Sequence, residues 1–209
     1  MTFAILGTGG HAKSIYDIVK NKKNIYFFDK KNKKFIIDNK KFTVKNEIDL
    51  LINYKRKISK IIIAIGNNKI REKNFKILKK NNFKFDTLIH PKSYRACGSK
   101  IGEGSVVMQG TLINTDTIIG NNCIINSHAS IDHDCLIKDH THICPGVVIA
   151  GNVQSGKNCW IGIGSKIIQN CIIGDNVFVA AGSVITKNVK SNSFVKGVPA
   201  KYAKKLAKF

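Results

Sequence analysis

The sequence predicts an α/β domain with a short parallel, Rossmann-like sheet, followed by a parallel β-helix. Three observations carry this. An apolar stretch over residues 2–6 runs into Gly7-Thr8-Gly9-Gly10-His11-Ala12, a glycine-rich turn of the kind that joins a strand to a helix. Apolar strands then alternate with helical patterns as far as Ile89. From Ile101 a six-residue repeat runs unbroken to Val189. The expected domains are 1–92 and 93–209.

In the first domain, residues 2–6 read as a buried strand, followed by a helix to about Lys20. Asn24 to Phe28 reads as a second strand ending at Asp29, and Asn46 to Asn53 as a helix. Ile61 to Ile65 is a third strand. It ends in Gly66-Asn67-Asn68 ahead of a helix from Lys69 to Lys80, and Phe85 to Ile89 is a fourth strand. Gly7, Gly9 and Ala12 fit G-x-G-x-x-G/A, and Asp29 lies twenty residues past Gly9, which is the dinucleotide fingerprint. Four strands are fewer than a two-half dinucleotide fold needs, so a nucleoside diphosphate held by half of it fits equally well. Glycines let backbone N–H groups approach a phosphate, and the helix N-terminus favours the anion. A plain turn without ligand is the third reading. His11 argues against it, because a small or capping residue would serve a plain turn.

In the repeat, the first positions run Ile101, Val107, Ile113 and so on to Ile185, and fourteen of fifteen are Ile or Val, Ser155 being the exception. The fifth positions, Ser105 to Val189, are all small or β-branched. Each hexad is one short strand plus a corner, and three hexads close an 18-residue coil. The large aliphatic fills the interior and the small residue fits where the walls crowd. Fifteen hexads make five coils, and Ser99 keeps the small position, so residues 95–100 are expected to begin a sixth. Four of the six cysteines (Cys123, Cys135, Cys159, Cys171) take the small interior position. Cys123 and Cys159 share a row two coils apart, roughly 9–10 Å at the strand spacing, beyond disulfide reach. Reduced, packed thiols follow, and no CxxC pair is present for zinc.

The net charge of +22 is concentrated in residues 1–90, which hold 22 Lys/Arg and 7 Asp/Glu, whereas residues 95–190 hold 7 and 6. A nucleic-acid reader gathers Arg and aromatics on one surface. Here only Arg56, Arg71 and Arg95 are Arg. The lysines read as a solvated surface that attracts anionic small molecules such as nucleotides. The longest apolar run, Ile61 to Ile65, cannot span a bilayer, and Met1 to Gly7 reads as a strand rather than a signal peptide. A cytoplasmic protein without membrane insertion is expected.

Residues 18 apart stack. Thr115, His133, Gly151 and Gln169 form one row; His142, Trp160 and Phe178 another; Asn122, His140, Asn158 and Asn176 a third. His140 among asparagines reads as a solvated corner. His133 sits between Asp132 and Asp134 with Gly151 one coil on. An imidazole held by a carboxylate suits a general base, and a glycine N–H beside it suits an oxyanion. An exposed histidine with acidic neighbours is the alternative. The aromatic row suits a subunit contact or a ligand groove.

The hexads resemble the left-handed β-helix acyltransferases. Ile131-Asp132-His133-Asp134-Cys135, Ala150-Gly151-Asn152-Val153 and Gly197-Val198-Pro199-Ala200-Lys201 resemble the branch that holds nucleotide-sugar N-acetyltransferases and sialic acid O-acetyltransferases. Gly7-Thr8-Gly9-Gly10-His11 and Ile65-Gly66-Asn67-Asn68 match the same branch. The resemblance implies a homotrimer with active sites between subunits. It implies His133 as catalytic base, Asp134 as the residue that raises its basicity, and Gly151 as oxyanion donor. Acetyl-CoA, the co-substrate, would meet His142, Gly151, Ile163 and Ala181. A nucleotide-linked amino sugar would meet Gly9, Gly10, His11, Asp29, Lys30 and Gly66; Lys30 replaces an acidic residue of some relatives. The implied activity is acetylation of the sugar's 4-amino group, without metal. O-acetylation of a sialic-acid-type sugar is the near alternative. A trimeric zinc hydratase using His128 and His133, and a nucleotide-sensing module with a structural stalk, are the more distant ones.

Overall fold

The computed structural model describes residues 2–30, 33–47, 50 and 53–204, with the Lys33 side chain outside the description. The chain divides into two compact units, Met1–Leu88 and Ile89–Phe209.

In the first unit the strand–turn–helix opening forms as β1 (Phe3–Leu6) and α1 (Gly10–Val19). Ala12, Ile15, Tyr16 and Val19, spaced three and four apart, form the buried stripe of α1. Then follow β2 (Ile25–Asp29), β3 (Lys33–Ile37), β4 (Lys40–Asn46), β5 (Lys60–Ile63) and α2 (Asn68–Lys80). The sheet order is β3-β4-β2-β1-β5. Strands β4, β2, β1 and β5 run parallel. Ala4, Leu6, Phe28, Ile61 and Ile63 pack one sheet face against Phe75 and Leu78 of α2. On the other face Tyr16, Phe27, Phe35 and Phe42 meet ring to ring.

Three sequence expectations change here. Residues 33–46, unassigned from the sequence, form a hairpin that adds an antiparallel edge to the sheet. Its two-residue loop is Asp38-Asn39, both at positive φ (51° and 55°), the requirement of a type I′ turn. Asn46 therefore closes a strand instead of opening a helix; of the rest of the stretch expected as a helix, Glu47 and Leu50 are helical, and residues 48, 49, 51 and 52 lie outside the described residues. The fourth strand shrinks to a single bridge between Phe85 and Ile61, and Leu88–Ile89 opens a sheet of the repeat.

The second unit is the β-helix. Two-residue strands recur every six residues from Tyr94–Arg95 to Val184–Ile185, in the register read from the sequence. As far as Lys166–Ile167 each pairs in parallel with the strand 18 residues on, as Ile113 with Ile131 and Ile131 with Ile149. Ile113, Ile131, Ile149 and their equivalents form one continuous core. Every corner from Gly104 to Gly182 carries a residue with φ between 54° and 72°. Those corner residues are Gly, Asn, Asp or His, the types that tolerate this conformation.

The small interior position has a second reason beyond size. Ser105, Thr117, Thr141 and Ser165 donate their hydroxyls to the carbonyls of Gly120, Asp132, Gly156 and Ala180, each at 3.0 Å or less. Cys135 and Cys159 donate likewise to Ala150 and Gly174. None of the six cysteines forms a disulfide, and only Cys97 is exposed. The segment expected as a tail folds back as an antiparallel pair, Phe194–Gly197 with Ala200–Tyr202, and Phe194 pairs with Phe178.

Candidate active site

His133 sits on the corner that follows the sheet containing Ser130–Ile131. The left-handed conformation of Asp134 (φ 58°) turns the chain there and lets adjacent side chains meet. His133 Nδ1 lies 2.7 Å from Asp134 Oδ2. A carboxylate only accepts, so Nδ1–H donates and the Nε2 lone pair is left for substrate. Both side chains are more than half exposed, at 57% and 60%. The hydrogen bond to Asp134 and then the Asp132 charge push the His133 pKa up. Asp132 also holds the corner itself. Its Oδ1 accepts from the His133 N–H at 2.9 Å and from Asn114 Nδ2 at 2.8 Å. These bonds draw the Asp132 pKa down.

Gly151 lies directly beneath the imidazole. A Cβ placed there would stand 2.6 Å from His133 Cε1 and 2.7 Å from Nε2. In the same row the N–H groups of Thr115 and His133 are capped by the side chains of Asn114 and Asp132. Ala150 precedes Gly151 and has no side-chain acceptor to cap it. Among the described residues the Gly151 N–H has no partner. Ile163 and Ala181 follow Gly162 and Ala180, so their N–H groups go uncapped in the same way. They lie one coil apart on an exposed row, joined through Gly182 N–H to Ile163 O at 2.8 Å. This row belongs to a different corner of the triangle from His133.

His142 is placed on the flat face between corners. It is buried, with Nε2 3.2 Å from Asn126 Nδ2 and its ring 4.5 Å from Trp160. Trp160 and Phe178 stack in parallel at 5.9 Å. His140 departs from its expectation. It is buried, and its Nδ1 lies 2.8 Å from Asn122 Nδ2, so this corner is a packed side-chain pair and not a solvated one. Among the described residues no group of three His, Cys, Asp or Glu side chains is arranged to hold a metal ion. Nor is any described helix long and apolar enough to cross a membrane.

In the first unit, Gly9, Gly10, His11, Asp29, Lys30 and Gly66 all line one cleft of about 390 Å³. Gly7 is structural: at φ 106° its Cβ would stand 2.8 Å from the Ala64 carbonyl. Gly9, Gly10 and Gly66 face open space instead. Gly9 is the N-cap of α1 and supplies no side-chain cap. Asp29 accepts from the Thr8 hydroxyl and, at 2.8 Å, from the Lys30 N–H. His11 Nε2 is buried and unbonded among the described residues. Burial, and then the Arg71 charge, lower the His11 pKa to about 4. Glu47, Ile70 and Asn74 also line the cleft and were not singled out from the sequence. Glu47, the helical residue after β4, and Ile70 and Asn74 of α2 reach it from places that no local motif marks.

Residues 2–78 match the family described as the PglD N-terminal domain. Residues 98–133, 116–151 and 156–187 match the bacterial transferase hexapeptide family. A mutant of perosamine N-acetyltransferase from Caulobacter crescentus, solved with CoA and GDP-perosamine, is 28% identical, with a TM-score of 0.92 over 98% of each chain. The acetyltransferase domain of PglB from Neisseria gonorrhoeae is 31% identical over 97% of this chain and 99% of that one, with a TM-score of 0.89. WeeI from Acinetobacter baumannii is 25% identical over 97% of this chain and 100% of that one, with a TM-score of 0.87. With its hexad register, its His133–Asp134 corner and its glycine-lined cleft, the chain belongs to the left-handed β-helix, hexapeptide-repeat acetyltransferases of the nucleotide-sugar branch.

Proposed function

We propose that this protein transfers the acetyl group of acetyl-CoA to the 4-amino group of an amino-dideoxy sugar linked to a nucleoside diphosphate, in the cytoplasm, for surface glycan synthesis. The observation that carries the reading is the His133–Asp134 pair, 2.7 Å apart, seated over Gly151. His133 Nε2 accepts the proton that the sugar amine sheds as its nitrogen bonds to the thioester carbonyl carbon. Asp134 holds the ring in the tautomer that leaves Nε2 open and stabilises the imidazolium. The Gly151 N–H steadies the carbonyl oxygen as it becomes an oxyanion. His133 then returns the proton to the departing thiolate. The C–N bond forms and the C–S bond breaks, and no metal enters.

The uncapped N–H groups of Ile163 and Ala181, roughly 4.8 Å apart along the row, suit the amide carbonyls of a pantetheine arm. His142 would bound the same groove. The cleft of the first unit would take the sugar nucleotide, with its diphosphate against Gly9, Gly10 and the α1 N-terminus. His11, Asp29, Lys30 and Gly66 would line the rest. The same kind of ligand pair, CoA with GDP-perosamine, is bound by the Caulobacter crescentus enzyme.

A homotrimer accords with the placement of these groups. His133 lies on one corner of the coil and the Ile163–Ala181 row on another, so a donor laid along that row would meet the His133 of a neighbouring subunit. Light scattering should give three times the chain mass, and a value at the chain mass would refute this. The activity is tested by free-CoA release across UDP-, dTDP- and GDP-linked 4-amino sugars, with free sialic acid alongside. Turnover confined to a 4-amino sugar nucleotide supports the proposal. Turnover of sialic acid alone would replace it with O-acetylation.

A further inference from the structure

Among the described residues Arg71 is the largest fully buried side chain, only 1% exposed, and it is a charged one. Burying a guanidinium is costly unless its N–H groups are bonded. One nitrogen donates to the carbonyls of Ile65 (3.1 Å) and Gly66 (2.9 Å), and the other to Asn68 Oδ1 (2.8 Å). Ile65 and Gly66 line the same cleft as Gly9, Gly10 and His11. A leucine at this position of α2 would fill the same core. What a guanidinium adds is a fork that grips two consecutive carbonyls of a wall segment.

We propose that Arg71 is a positioning residue of the sugar-nucleotide cleft, gripping the Ile65 and Gly66 carbonyls so that this wall of the cleft keeps its place and His11 Nε2 is presented to the ligand. The inference rests on the reading that this cleft takes the sugar nucleotide. Two independent features meet here: the fork on the wall, and a cleft-lining histidine whose Nε2 is buried with no partner among the described residues. The charged groups around the imidazole are Arg71 from α2, Asp29 and Lys30 from the end of β2, and Glu47 after β4. Asp29 is already engaged by Thr8 and Lys30. Arg71 adds its charge to burial in keeping His11 neutral. His11 thus meets the ligand as a neutral hydrogen-bonding group, and the α1 N-terminus is left to carry the anion.

Arg71→Met removes the fork and the charge; Arg71→Lys keeps the charge without the fork. In the ligand-free protein the His11 midpoint, followed by the NMR shifts of its ring, should rise toward 6.5 in Arg71→Met, by less than half of its displacement because burial is the larger cause. It should stay low in Arg71→Lys. Both variants should raise KM for the sugar nucleotide about tenfold. KM for acetyl-CoA and kcat should stay within about twofold of wild type. If Arg71→Met does not fold, Arg71→Lys still decides whether the fork matters. An unchanged sugar-nucleotide KM in Arg71→Lys, or an unmoved His11 midpoint in folded Arg71→Met, would overturn the proposal. The titration needs no ligand, so its outcome is separate from failure of the sugar-nucleotide reading, which would appear as no binding by the wild-type protein.

Discussion

A single methyl group added at Gly151 should cripple catalysis while leaving the fold intact. Gly151 has no left-handed φ, so its backbone accepts alanine without strain. The cost comes from one neighbour. The new Cβ would lie 2.6 Å from His133 Cε1 and 2.7 Å from Nε2, where ordinary contact begins near 3.4 Å. The imidazole must therefore shift by roughly 1 Å, a displacement worth about 10²-fold in rate at a reacting group. The ring is more than half exposed and can swing outward, so stability should change by less than about 1 kcal/mol. That swing breaks the 2.7 Å bond to Asp134, and the His133 pKa should fall. Steady-state CoA release and thermal melts on Gly151→Ala measure both quantities. Alanine keeps the backbone N–H, so the double variant with His133→Ala should be no slower than His133→Ala alone. Wild-type kcat in Gly151→Ala, or a double variant far slower than His133→Ala, would refute the stacking argument.

Removing the base directly, His133→Ala should lose at least roughly 10²-fold in kcat with little change in KM for acetyl-CoA. Because a raised pKa keeps the base protonated to higher pH, the acid limb of the wild-type rate profile should lie above the ordinary 6.5. Asp134→Asn should move that limb to lower pH and cut kcat less than His133→Ala does. His140→Ala should retain kcat but lower the melting temperature, since it breaks the bond to buried Asn122 and puts alanine at φ 63°. Acid should weaken the protein through His11. Its folded pKa of about 4 lies below 6.5, so the unfolded chain takes up the proton first. Stability is lost as pH falls from about 6.5 to about 4, by at most roughly 3 kcal/mol. Denaturant melts of His11→Asn should show a flatter pH slope across that window; an identical slope would contradict the assignment.

The amino-acid sequence by itself determined the β-helix, because each hexad repeats one local demand. A large aliphatic points inward, a small residue sits beside it, and a residue tolerant of positive φ turns the corner. The same period placed Gly151 beside His133, since residues 18 apart must stack, and Asp134 stood next to His133 in the chain. The strand–glycine–helix opening was legible because its chemistry is contiguous. The tertiary structure decided what depends on partners far along the chain. The 33–46 hairpin shows this, because its strands find their place only by pairing with β2. So do the hydroxyls and thiols of the small interior position, which bond carbonyls fifteen residues on. His140 read as a solvated corner because asparagine ladders are polar, yet coil stacking buries it against Asn122. Nothing in the sequence set Arg71 apart from the lysines of its helix. Only the packing of α2 on the sheet reveals a buried guanidinium holding the cleft wall, because burial is a property of the whole fold and leaves no local mark in the chain.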